Sequence, residues 1–143
     1  MWNAKLACKN LGIPFRISDS LEGKGALGAS NLAHRYIHII PSHENDDRVW
    51  IHEIAHTMLH FQHYEAAAGI GDTELNARAE LEADTVAYIT AKVLGKEDRQ
   101  DYLTYVKMFM GRIPLLEQSG NILDERMPEL LNMVKLILNA GGY

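Results

Sequence analysis

The stretch His52-Glu53-Ile54-Ala55-His56 sets two imidazoles four residues apart, with a carboxylate directly after the first. On a helix such a pair lies about 40° apart around the axis and about 6 Å apart along it, so both rings can reach one ion. Glu53 points about 100° away from His52. That offset makes it a poor third ligand but lets it reach a water in an open coordination position. Zn2+ is the expected ion, though a set of two histidines and a carboxylate also accepts Mn2+, Fe2+ or Co2+, and a two-histidine site needs one more protein ligand. The run Ala79-Glu80-Leu81-Glu82-Ala83-Asp84 offers three acids. With Glu82 at 0° on a helical wheel, Leu75 and Val93 fall near about 20°, Val86 near about 40° and Ala79 near about 60°. Ile89 falls near about −20°, while Glu80 and Asp84 lie at about 160° and about 200° on the other side. A carboxylate inside an apolar stripe is costly unless neutral, paired or metal-bound. The expected metal ligands are therefore His52, His56 and Glu82, with Glu53 as catalytic acid and base. The competing reading of Glu82 is a buried salt bridge with an Arg or Lys, and that of Glu80 and Asp84 is a solvated acidic face.

Peptide-bond hydrolysis without a covalent intermediate is the chemistry such a site supports. The ion polarises the carbonyl and activates water, and Glu53 takes the proton and returns it to the leaving amine. A donor for the oxyanion should complete the site, and His60, His63, Tyr64 and Tyr88 are candidates. His63 lies about 16 Å along the axis from His52, too far for one mononuclear site, so it and His60 are read as supporting or surface residues. His34, His38 and His43 read as ordinary polar positions, and Cys8 as a small core residue.

The elements that must position these groups separate into two kinds. Residues 1–41 are expected to hold a short amphipathic helix over 2–11 and strands over 13–17, 26–29 and 35–40. A Gly-rich turn lies at 23–25, and a hairpin turn near Ser30-Asn31. The β-branched run Tyr36-Ile37-His38-Ile39-Ile40 stops at Pro41. A small antiparallel sheet of about three strands follows, with the 35–40 strand as its exposed edge, where a substrate segment could add by backbone pairing. From Asn45 the spacing turns helical, with Ile51, Ile54, Ala55, Met58 and Leu59 on one face, so a helix is predicted over about 45–63. A second is predicted over about 74–94, capped by Thr73 and closed by Gly95. A third is expected near 101–110. A last one carries Leu116, Leu123, Leu130 and Ile137 at seven-residue steps, with Pro114 and Pro128 limiting its regularity. The fold class is α+β in one domain over 1–143, subdivided as 1–41, 45–95 and a helical scaffold at 98–140.

Composition removes several other functions. The 143 residues carry 14 Lys+Arg against 19 Asp+Glu, a net charge of −5, which argues against direct binding of nucleic acid through its phosphates. No apolar run reaches the roughly 18–20 residues of a spanning helix, and residues 1–12 lack the apolar core of a signal peptide. One cysteine can form neither an internal disulfide nor a Cys-based zinc cage. A cytoplasmic protein without a membrane partner is expected.

The stretch from His52 to His60, followed by Glu80-Leu81-Glu82-Ala83-Asp84-Thr85-Val86-Ala87-Tyr88, resembles the ImmA/IrrE-like minimal zinc metallopeptidases. Within them it looks most like the metallopeptidase domain of ArdC-type antirestriction proteins. The likeness covers about residues 11–95 and includes Gly25-Ala26-Leu27-Gly28. It implies a minimal zincin-like fold, His52, His56 and Glu82 as zinc ligands, and Glu53 as catalytic residue. It also implies a protein substrate, a helix-turn-helix repressor of a mobile element or stress response, or else an antirestriction role. Neither a separate N-terminal DNA-binding region of the ArdC kind nor a sensor domain after the peptidase is expected from these residues, and direct DNA binding and built-in sensing are not expected either. The alternative reading is a metal-binding antirestriction or interaction module with little or no proteolysis.

Overall fold

A computed structural model describes the backbone of residues 1–19, 28–31, 36–67, 73–96 and 120–143, and the side chains of 1–19, 36–60, 78–96 and 124–143. The architecture is α+β. In chain order it comprises α1 (Ala4–Leu11), β1 (Phe15–Ile17), β2 (Gly28–Asn31), β3 (Tyr36–Ile39), α2 (Asp47–Ala67), α3 (Thr73–Val93) and α4 (Gly120–Ala140). The expected turn at 23–25 and the helix near 101–110 lie outside the described residues.

Helix α1 begins two residues later than its amphipathic pattern suggests. Asn3 takes the capping position, its Oδ1 accepting from Leu6 N at 2.8 Å, and Trp2 is left ahead of the helix. Gly12, at φ 69°, closes it, and Ile13 N bonds back to Cys8 O at 2.8 Å. Pro14 then turns the chain into β1.

The sheet has the order β1-β3-β2 and is mixed, not antiparallel. β1 runs parallel to β3, with Phe15 opposite Ile37 and Ile17 opposite Ile39. β2 runs antiparallel to β3, with Ala29 opposite His38. Ser30 and Asn31 pair with Ile37 and Tyr36 as the last residues of β2, and the residues between them and β3, where the nearby hairpin turn is expected, lie outside the described residues. The expectation that the 35–40 strand is an edge is overturned, because β3 is the central strand. Its composition explains why. Ile37 and Ile39 are fully buried and His38, between them, is buried too, so the strand is covered on both faces. The buried His38 ring is satisfied by the Ser18 hydroxyl, 2.5 Å from its Nε2. The edges are β1 and β2, and β2 packs against α2.

The core joins Trp50, Ile51 and Ile54 of α2, Ala83 and Val86 of α3, Leu130, Val134 and Ile137 of α4, and Ile37 and Ile39 of the sheet. Helix α2 starts where Asp46 accepts from Arg48 N at 3.1 Å, with Asp47 in its first turn. It extends to Ala67, one turn beyond the predicted end near residue 63. Helix α3 packs on both α2 and α4. Consequently every residue from Leu81 to Ala87 is buried, and this part of the helix has no solvated face. Gly95, at φ 76°, ends it. Pro128 lies inside α4 without ending the helix. No helix of the described residues is long and apolar enough to cross a membrane.

The far end of α4 is tied to α1. Trp2 Nε1 donates to Ile137 O at 2.9 Å, Asn3 N to Gly141 O at 2.9 Å and Asn10 Nδ2 to Ala140 O at 2.8 Å. A methyl group at Gly141 would overlap the buried Trp2 indole. Gly141→Ala is therefore expected to lower stability by about 1–3 kcal/mol, the usual cost of overpacking. Urea denaturation followed by tryptophan fluorescence checks this, and an unchanged midpoint would refute it.

Candidate metal centre

Helix α2 presents His52, His56 and His60 in successive turns, and α3 brings three acids against them. Glu80 lies between the first two imidazoles. Its Oε2 is 3.1 Å from His52 Nε2 and its Oε1 is 3.0 Å from His56 Nε2. Asp84, one turn further along α3, accepts from His52 Nδ1 at 2.7 Å. Glu82 faces elsewhere. Its Oε1 lies 3.3 Å from His60 Nε2, and it forms a two-pronged salt bridge with Arg126 of α4, Nε to Oε2 at 3.2 Å and a terminal nitrogen to Oε1 at 3.1 Å.

The structure thus gathers His52, His56 and Glu80, whose donor atoms all lie within 4.8 Å of one another, and leaves Glu82 outside the cluster. The angular argument for Glu82 assumed that α3 buries a single stripe. With α3 lodged between two helices, a core-facing position on the α4 side and one on the α2 side are both buried, and Glu82 takes the former as a salt-bridged acid. Asp84 is buried, and Glu80, partly accessible to solvent, is turned to the imidazoles of α2. They share the α2 side at a spacing of four residues, the same spacing as His52 and His56. That matched pair of i, i+4 spacings was the available signal. Nothing local to residue 126 marked Arg126, whose role depends on a contact across 44 positions of chain.

The donors fit a metal. Tetrahedral zinc with bonds of about 2.0–2.1 Å sets neighbouring donor atoms about 3.3 Å apart, close to the two contacts of Glu80. His56 Nε2 is buried and, although 3.0 Å from Glu80, makes no hydrogen bond of acceptable geometry. A buried nitrogen aimed at a carboxylate but not bonded to it suits a ligand atom better than a structural one. Asp84 on Nδ1 fixes the proton of His52 there and turns Nε2 toward the cluster. Glu80 is the exposed member, its side chain 38% accessible, so the cluster opens to solvent on that side. Glu53 is buried beside it, Oε1 3.9 Å from His52 Nε2, and is not one of the clustered ligands.

Electrostatics reinforce the grouping. Burial draws the pKa of His52 down, but the Asp84 and Glu80 bonds and the Glu53 charge outweigh it and leave the ring raised to about 10. Burial pushes Glu80 up, whereas the two imidazoles hold it well below the usual carboxylate range. Glu82 is likewise pushed up by burial and held down more strongly by His60 and Arg126. Among the other expected roles, Tyr88 lies near Lys92, whose Nζ is 5.9 Å from the ring centre, and the side chains of His63 and Tyr64 lie outside the described residues. His43 pairs with Ser42 and is not one of the clustered residues, and Cys8 is buried in the core, its thiol pushed up to about 12 by burial.

Compared with known family models, curated proteins and solved structures, the chain gives no match.

Two outcomes are expected. Elemental analysis of protein purified without chelator should find about one zinc per chain, lost in Glu80→Ala and His56→Ala but retained in Glu82→Gln. Loss confined to the Glu82 variant would refute the geometry. Because metal-free His52 holds a proton up to a pH of about 10, zinc must displace it. Apparent affinity should then rise about tenfold per pH unit between about pH 7 and 9, with roughly one proton released. Calorimetry in buffers of different ionisation enthalpy measures that proton, and a buffer-independent heat would contradict it.

Proposed function

We propose that the chain is a zinc-dependent endopeptidase acting on one protein partner, and that the ligands are His52, His56 and Glu80. The observation that carries this reading is the buried Glu53 next to, but outside, a three-ligand cluster open on its Glu80 side. A metal serving only as a folding staple has four protein ligands and no need of an adjacent carboxylate. Bound zinc supplies Lewis acidity and makes water a nucleophile near neutral pH. Glu53 would accept the proton of the attacking water and deliver it to the departing nitrogen, so that a neutral amine leaves and expulsion of an amide anion is avoided. Glu80, His52 and His56 hold their donor atoms toward one point, and Asp84 keeps His52 in the tautomer that leaves Nε2 free for it.

The resemblance to ImmA/IrrE-like peptidases supports a helix-turn-helix repressor in the cytoplasm as the substrate class. An extended substrate segment would add to β2, which among the described residues is an edge strand and packs against α2. The net charge of −5 supports action on the repressor and not on its DNA.

Glu53→Gln is expected to keep zinc and fold while lowering turnover by about 10²–10⁴-fold. Expression of wild type and variant in parallel, with profiling of new protein N-termini, identifies the substrate. New termini within a helix-turn-helix protein should appear with the wild type alone. A biological effect that persists undiminished in Glu53→Gln would instead establish the metal-binding interaction module.

A further inference from the structure

Behind His56 lies a series of side chains that reaches a third helix. His56 Nδ1 lies 2.9 Å from His60 Nδ1, and both rings are buried. A neutral imidazole has one N–H and one bare nitrogen, so one of these two atoms donates and the other accepts. At the far side of His60, Nε2 faces Glu82 Oε1 at 3.3 Å. The ionised carboxylate of Glu82 only accepts, and Arg126 grips both of its oxygens, which keeps it ionised and in place. With His60 neutral, its single proton sits on Nε2, facing Glu82. Its Nδ1 is left bare and accepts from His56 Nδ1–H, so His56 carries its lone pair on Nε2, on the side of Glu80 and His52.

We infer that Arg126 of α4 is a positioning residue for the metal centre, acting through Glu82 and His60 to hold His56 in the tautomer whose Nε2 can ligate. The inference rests on the metallopeptidase reading and adds to it a reason for the third histidine and for the acid that is not a ligand. His52 obtains the same service from Asp84 through one contact, whereas His56 requires three groups in series. The series also reaches a third helix: Arg126 is anchored on α4 by Glu129, whose Oε2 is 2.5 Å away. A metal site built on α2 and α3 is thereby made dependent on the seating of α4.

The test compares zinc affinity, by chelator competition, with thermal stability in His60→Leu, His60→Gln and Arg126→Met, all as the full chain. Leucine removes both functions of His60, while glutamine restores an acceptor toward His56 and a donor toward Glu82. His60→Leu should weaken zinc binding by about 10–100-fold and Arg126→Met by about tenfold, the range for groups that orient ligands. His60→Gln should recover most of the loss even if its melting temperature stays low, which a merely structural role would not produce. Nitrogen-15 spectra of the zinc-loaded wild type should show His60 protonated at Nε2, and a mixture of tautomers in Arg126→Met. Should Arg126→Met fail to fold, Glu82→Gln with Arg126→Met removes the charge pair together, and weaker zinc binding is again expected. Wild-type affinity in both His60→Leu and an Arg126 variant overturns this inference alone. A wild type that takes up no zinc, cobalt or manganese overturns the metallopeptidase reading along with it.

Discussion

Charge compensation between α2 and α3 is the constraint on which the rest of the structure depends. Three histidines on one helix meet three acids on the next: Asp84 against His52, Glu80 against His52 and His56, and Glu82 against His60. Each group is buried or half-buried, and each would be expensive there alone. Their mutual hydrogen bonds offset part of that cost, although one carboxylate oxygen of Asp84 is buried without a partner among the described residues, and the pairings tie α2 to α3. The apolar residues interleaved with them, Ile51, Ile54, Ala83 and Val86, supply most of the favourable burial. They do not by themselves choose between neighbouring registers, since alanine and valine fit several.

This division of labour explains what could be read in advance. The His52 and His56 pair and the offset of Glu53 follow from helix geometry alone, so they were legible in the sequence. So were the positions of α2 and α3 and the α+β class, because periodicity and capping residues are local. The identity of the third acid was not legible by the same means. A helical wheel treats one side of a helix as wet, and α3 between Leu81 and Ala87 has no wet side. Glu82 belonged inside an apolar stripe as calculated, but the partner it meets there is a guanidinium carried by α4. Sheet topology failed for a related reason. The β-branched run of β3 was recognised as a strand, while its place at the centre depends on β1 arriving in parallel from α1, a non-local pairing that no turn signal records.

The supporting groups around the histidines differ in how far they reach. His52 is oriented within the α2 and α3 pair, by Asp84. His56 is oriented by a series that ends on α4, whose other end is bound to Trp2, Asn3 and Asn10 near the start of the chain. On the proposed reading, one imidazole is set by its nearest neighbour and the other by the assembled molecule. A site of this kind is sensitive to substitutions well away from the ion, at positions that touch neither metal nor substrate.

The buried stretch from Leu81 to Ala87 also bears on how the molecule comes together. While α3 is undocked, water solvates Asp84 and Glu82. As it docks, both lose that water within the same few ångströms of approach, and only the imidazoles of α2 and the guanidinium of α4 can replace it. A half-docked helix has neither the water nor the partners, so it is a high point on the folding path and not a resting place. The cluster of His52, His56 and Glu80 is therefore assembled only once α3 has docked on α2.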